Sequence, residues 1–160
     1  MDNSSEYKMA SHEAVIRKYA NMVYKLAFAM VRTRSDADDI FQEVFMRYIK
    51  KAPVFNSDEH RKAWLIRVTI NCAKKHFSSP WLQKTVPLDD NILFLMPEEN
   101  GLHEALKKLA PKYRAVIHLF YYEGYKVDEI GRLLARKPST VRTQLTRARE
   151  KLSKILKEES

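Results

Sequence analysis

Cysteine occurs once, at Cys72, so no internal disulfide can form, and that usage fits a reducing cytoplasm. Its plain role is that of a small core residue. Glycine is nearly as scarce, with three in 160 residues. So few turn signals, beside long stretches of helical period, argue for an all-α chain. No apolar run reaches the roughly 18 residues that a membrane span needs, and residues 1–10 are polar and acid-bearing, unlike a signal peptide. Metal chemistry finds no footing either. The five histidines, His12, His60, His76, His103 and His118, form no ligand-spaced pair, and no acidic cluster suits metal or acid-base work. No cofactor, metal or small-molecule substrate is therefore expected, and a DNA-modifying enzyme ranks last among the readings. Acid as a whole is in short supply. Twenty Asp/Glu face 29 Lys/Arg, a net charge of +9 that favours a polyanionic partner without distinguishing nucleic acid from an anionic membrane.

What is present is unevenly spread. Residues 1–77 hold 14 Lys/Arg against 9 Asp/Glu, residues 78–100 hold 1 against 4, and residues 101–160 hold 14 against 7. Two basic blocks thus flank an acidic bridge. That bridge carries Pro80, Pro87 and Pro97 and lacks sustained helical period, so it reads as a linker between two small helical domains, 1–77 and 101–160. Its short apolar run, residues 92–96, can dock on either domain or begin the second.

Within the second block, residues 126–152 read as two short amphipathic helices joined by a tight turn. Val127, Ile130 and Leu134 recur at helical spacing, small Gly131 allows a crossing helix to approach, and Pro138 interrupts the pattern. Val141, Leu145, Ala148 and Leu152 then form a second stripe. At about 100° per residue, Arg142, Thr143, Thr146 and Arg147 fall opposite it. Arg pairs bidentately with guanine edges, Thr bonds to an edge or touches a thymine methyl, and the free N–H groups of a helix start suit phosphate. This is the pattern of a DNA-binding helix-turn-helix. A surface hairpin with a solvated basic face is the plainer alternative. Upstream, Leu102, Ala105, Leu106 and Leu109, closed near Pro111, and a helix from Tyr113 to a turn at Gly124 complete a four-helix module, with Tyr121, Tyr122 and Tyr125 expected to be half-buried.

In the first block, a helix from His12 to Val31 buries Val15, Tyr19, Met22, Val23, Leu26 and Met30. A second, capped by Ser35 or Asp36 and ending near Lys51, turns Ile40, Phe41, Val44, Phe45, Tyr48 and Ile49 inward. Asp39, Gln42, Glu43 and Met46 share an outer face, an acidic patch on a basic protein. After a loop with Pro53, Phe55 and Asn56, a third helix, about 59–77, sends Trp64, Leu65, Val68 and Cys72 to the core. It lines up His60, Arg67, Asn71 and Lys74 on another face, a set suited to single-stranded or unstacked DNA or simply to solvent.

Three motifs in fixed order make the pattern specific: DADDIFQEVFMRYIK at 36–50, WLIRVTINCAKKHF at 64–77 and EIGRLLARKPSTVRTQLTRAREKL at 129–152. Together they resemble a bacterial RNA polymerase sigma factor of the extracytoplasmic function group, in the sigma-70 superfamily, over about residues 12–156. The resemblance implies that the first domain, region 2-like, binds core polymerase and opens the minus-ten element, and that the second, region 4-like, reads the minus-thirty-five element. No residue would be catalytic. It implies that Asp39, Gln42, Glu43 and Phe45 grip the clamp helices of the polymerase's largest subunit. It assigns Phe55, Asn56, Arg67, Val68, Asn71 and Lys74 to the minus-ten element, with the loop up to Arg61 capturing a flipped base. Ser139, Thr140, Arg142, Thr143, Thr146 and Arg147 would face the minus-thirty-five element. Partners implied are core RNA polymerase, promoter DNA and an anti-sigma factor, often membrane-anchored. Lys126 stands where the family often has a capping Ser or Thr, Ser139 where it often has Gly, and Gln144 where it often has Arg, which removes one expected phosphate contact. An operator-binding helix-turn-helix regulator is the alternative; it would lack the polymerase face and would open no duplex.

Overall fold

A computed structural model describes residues 3–31, 33–51, 54–78 and 105–159. The 78–100 linker and the start of the second block, Leu102 included, fall outside these residues apart from position 78. The described chain is all-α, as its composition and period require, with no strand. No helix among the described residues is long and apolar enough to cross a membrane.

Three long helices make the first half: α1 (Asn3–Met30), α2 (Arg34–Lys51) and α3 (Asp58–Ser78), each packed on the other two. The first begins nine residues before the expected His12, because a polar stretch without Gly or Pro offers nothing to stop it. Thr33, rather than Ser35 or Asp36, caps α2, its hydroxyl accepting the Asp36 N–H at 3.1 Å. Ser57 caps α3 in the same way, through the His60 N–H at 3.1 Å. The core here is Val23, Leu26, Ala27, Phe28, Val44, Leu65, Ile66 and Ala73, all fully buried. Ile49 does not join it; at 49% exposure it lies on the outer face of α2.

The second half consists of a short helical turn at 105–107, then α4 (Pro111–Ile117), a π-helical turn (His118–Tyr122), α5 (Val127–Leu134) and α6 (Pro138–Glu159). Pro111 opens α4 at a position where its missing N–H is not needed. Gly124, at φ 72°, supplies the left-handed residue that ends the π turn. Tyr121 and Tyr122, in the π turn, keep 55% and 51% of their surface, about half, as expected.

The two small helical units pack directly on one another. Their buried residues form one continuous core, and α1 packs against α4 as well as against α2 and α3. Arg114 donates to the Ala29 carbonyl at 3.4 Å, the Lys107 ammonium sits 4.0 Å over the Phe28 ring, and Lys62 reaches Glu123 at 3.1 Å. His118 lies in this seam, buried, stacked on Tyr122 at 5.2 Å, with Nε2 unpartnered. Burial first and Lys25 second push its pKa down to about 4.

A histidine kept neutral by the fold binds its proton more readily in the unfolded chain, so stability falls as pH drops through the window from about 6.5 to about 4. The loss levels off below it at roughly 3 kcal/mol. Urea unfolding at pH 7, 5 and 4 is expected to show this limb in the wild type and to lose it in His118→Leu. At the start of α5, the Glu129 carboxylate already accepts the Lys126 backbone N–H at 3.0 Å, whereas the Lys126 ammonium has no acceptor to return. Lys126→Ser completes that reciprocal box and should add about 1 kcal/mol, read from the denaturation midpoint.

Candidate nucleic-acid and partner interfaces

The turn between α5 and α6 is fixed by the backbone. Ala135 adopts φ 54° and ψ 48°, and the Arg136 N–H donates back to the Gly131 carbonyl at 2.9 Å. Gly131 matters for a reason other than a crossing helix. A Cβ there would lie 2.7 Å from the Arg136 carbonyl oxygen, so the returning turn itself occupies the space. Ile130, Leu133, Val141, Leu145 and Ala148 are buried beneath the turn and hold α6 against α5.

Opposite that stripe, Ser139, Thr140, Arg142, Thr143, Thr146 and Arg147 are all exposed, the arrangement the period predicts. Thr143 donates its hydroxyl to the Ser139 carbonyl and Thr146 to that of Arg142, both at 3.0 Å. With those protons committed to the helix, each hydroxyl oxygen is left as an acceptor, matched to the amino groups of adenine or cytosine rather than to phosphate. Cations on either side supply the charge. Arg149 is not one of them: its Nε donates to the Tyr121 hydroxyl at 2.6 Å and its guanidinium lies 5.5 Å from the Phe120 and Tyr121 rings. It ties α6 to the π turn.

On α3, Arg67, Asn71 and Lys74 are exposed along one face and Val68 is half-buried beside them. Next to this face, the loop before α3 is pinned rather than free. Its Phe55 ring is stacked on Tyr48 at 6.3 Å, meets Trp64 and His60 edge-on at 5.8 and 5.2 Å, and carries the Arg61 guanidinium at 5.2 Å. Asp58 anchors the loop to Lys18 at 3.1 Å and to Arg61 at 2.8 Å, and the Asn56 N–H donates to His60 Nδ1 at 3.2 Å. Phe55 therefore works inside an aromatic cluster. Among the described loop residues, Val54, 93% exposed, Asn56 and Ser57 face outward.

On α2, Asp39, Gln42 and Glu43 are exposed, continued by exposed Met46 and Ile49. Phe45 belongs to the other side. At 5% exposure, its ring edge-on to Phe41 at 4.9 Å, it backs the helix from within the core and is not part of the outer face. Arg47 pairs with Glu43 at 2.8 Å, and the Asp36 carboxylate lies 2.8 Å from His76 Nε2, joining the start of α2 to the end of α3. A recess between the two helices is lined by Asp39, Glu43, Arg47, Cys72, Lys75 and His76. Burial raises the Cys72 thiol pKa, which makes it a core residue and a poor nucleophile. Among the described residues, no group of His, Cys, Asp and Glu is arranged to hold a metal ion.

A third surface was not legible in the sequence. Leu106, Ile117, Tyr121, Tyr122, Leu152 and Leu156 line an apolar groove along α6. Two of its lining residues, Tyr121 and Tyr122, belong to the π turn.

Two family models match, "Sigma-70 region 2" over residues 15–82 and "Sigma-70, region 4" over residues 99–152. Among curated relatives, the RNA polymerase sigma factor SigV of Bacillus subtilis (strain 168) is 30% identical over 133 residues, with 78% of each chain covered. The ECF RNA polymerase sigma factor SigW of the same organism is 27% identical over 164 residues, covering 90% of this chain and 88% of the relative. Of solved structures, CnrH in complex with the cytosolic domain of CnrY superposes with a TM-score of 0.72 at 23% identity, covering 95% of this chain and 91% of that one. RpoE of Bartonella quintana, crystallised with the anti-sigma factor NepR, gives 0.69 at 17% identity, covering 91% and 96%.

Proposed function

The chain belongs to the extracytoplasmic function group of the sigma-70 family of RNA polymerase sigma factors, and we propose that it binds core RNA polymerase and directs it to promoters through two DNA surfaces. Residues 1–77 act as the core-binding and minus-ten part, 78–100 as the connector and 101–160 as the minus-thirty-five part. The observation that carries this reading is the pairing, in one basic chain, of an exposed Arg/Thr helix face on α6 with an acidic and amide face on α2. A DNA-only regulator has no use for the second.

In this reading, α6 reads base edges of the upstream element through Arg142, Thr143, Thr146 and Arg147, with Ser139 and Thr140 at its start. Asn71, Arg67 and Lys74, with Val68 beneath, meet the downstream element, and Asn56 with Val54 contacts the extruded base that melting frees. Extruding a base costs a few kcal/mol of stacking, which the pocket contacts must offset. Asp39, Gln42 and Glu43 meet the polymerase clamp helices, and Phe45 supports them from the core. The polymerase supplies the chemistry; linkage of two weak DNA sites through it supplies promoter selectivity. CnrH was solved with the cytosolic domain of CnrY and RpoE with the anti-sigma factor NepR, which supports a sequestering anti-sigma partner for this chain as well. The apolar groove along α6 suits the apolar face of a helix of such a partner.

Run-off transcription with purified bacterial core polymerase, on a promoter library selected by the holoenzyme, tests the whole assignment. Initiation should require this chain. Asp39→Arg should abolish initiation together with core binding, and Asn71→Ala should reduce initiation at least tenfold with core binding kept. Specific duplex binding without core binding or initiation would instead mark an operator-binding regulator. The isolated chain should bind duplex DNA weakly, with affinity falling steeply as salt rises. Tight, salt-insensitive binding in a mobility-shift titration would contradict that.

A further inference from the structure

Arg136 sits at the centre of the turn between α5 and α6, and every part of its backbone is fixed. Its N–H donates to the Gly131 carbonyl at 2.9 Å, and its own carbonyl oxygen fills the space that a Cβ on Gly131 would take. From this fixed base the side chain reaches across to α6, where a guanidinium N–H donates to Gln144 Oε1 at 2.8 Å. Both side chains are half-buried. At about 100° per residue, Gln144 lies on the flank of α6 shared with Thr140 and Arg147, between the buried stripe and the exposed face. The guanidinium is thereby held beside the groove-facing residues.

The arrangement is poor economy for stability alone. A partly desolvated charge costs free energy unless it is paired, and the only described partner is a neutral amide; no carboxylate among the described residues pairs with Arg136. Burial pulls its pKa downward, with no opposing charge to offset the effect. A methionine or leucine would fill the turn without that penalty. What the site has is an unneutralised, immobilised fork. A guanidinium carries five N–H donors, of which one is spent on Gln144. Ordering the fork before contact removes the rotamer entropy that a free arginine loses on binding.

We propose that Arg136, positioned by Gln144, is an additional DNA contact of this chain, a clamp on a backbone phosphate flanking the base pairs that α6 reads. Gln144 then does not cost the protein a phosphate contact; it orients a cation delivered from the turn. This rests on the reading of α6 as a DNA-recognition helix, and the test separates the two.

Holoenzyme assembled from core polymerase and the full chain is titrated onto a selected promoter duplex across a salt series. Arg136→Gln removes the charge and the fork while keeping a shorter polar side chain. It is expected to lower affinity about five- to tenfold equally across promoter sequences and to reduce the slope of log affinity against log salt by about 1. Arg136→Lys should restore the slope with only part of the affinity. Gln144→Ala, which frees the fork but keeps its charge, should cost affinity with the slope unchanged, and adding it to Arg136→Gln should cost nothing more. Thermal melting of each variant accompanies the titration. Lost affinity at an unchanged slope in Arg136→Gln, or loss that follows melting temperature alone, overturns the clamp. Arg142→Ala is the control. If it weakens binding and Arg136→Gln does not, the clamp is wrong and the recognition helix stands; if neither weakens binding, the recognition reading itself fails.

Discussion

Burial of the last turns of α1 is the interaction on which the rest depends. Val23, Leu26, Ala27 and Phe28 have no exposed surface, because α2 and α3 cover one side of the helix and α4 covers another. Each large apolar side chain so enclosed is worth about 1.5–3 kcal/mol. Isolated helices of such lengths are marginal in water and draw their stability from packing an apolar face on a neighbour. Because α1 is shared, both halves draw on one core, and the surfaces they carry are held in a fixed relation in this form of the protein.

That sharing explains the polar content of the seam. Lys107, Arg114 and His118 are buried where the C-terminal half meets α1. The first rests its ammonium on the Phe28 ring and the second donates to the Ala29 carbonyl, so charge is accommodated by a π-face and a helix-end carbonyl. Such contacts are weaker than apolar packing of the same area and more easily exchanged for water. A junction of this kind suits the proposed reading, in which each half meets a different stretch of DNA.

Charge is divided along the same lines. The cations of α3 and α6 lie on outer faces, whereas the acids cluster at helix starts, on α2 and within residues 78–100 of the sequence. Helix starts favour acids through the exposed N–H groups of the first turn. Asp36 stands in the first turn of α2, and Asp39 and Glu43 beyond it give the helix an outer face opposite in sign to the proposed DNA surfaces, so that in the proposed reading a polymerase and a duplex do not compete for one patch.

The sequence by itself determined the helices, their buried stripes, the exposed sets on α3 and α6, and, through three motifs in order, the family. Helical period and capping chemistry are local, so they are written in neighbouring residues, and the face opposite a buried stripe follows from the same arithmetic. Misjudged details were those that depend on contacts from elsewhere. Ile49 continues the helical stripe that buries Val44, Phe45 and Tyr48, yet it is exposed, an outcome the period alone does not give. Phe55 reads as a free loop aromatic until Tyr48, Trp64 and His60 close around its ring. Gln144 reads as a missing cation until the turn brings Arg136 to it. The tertiary structure alone decided these, together with the joining of the two halves across α1, because pairings between residues far apart in the chain depend on how helices pack, and packing leaves no period to count.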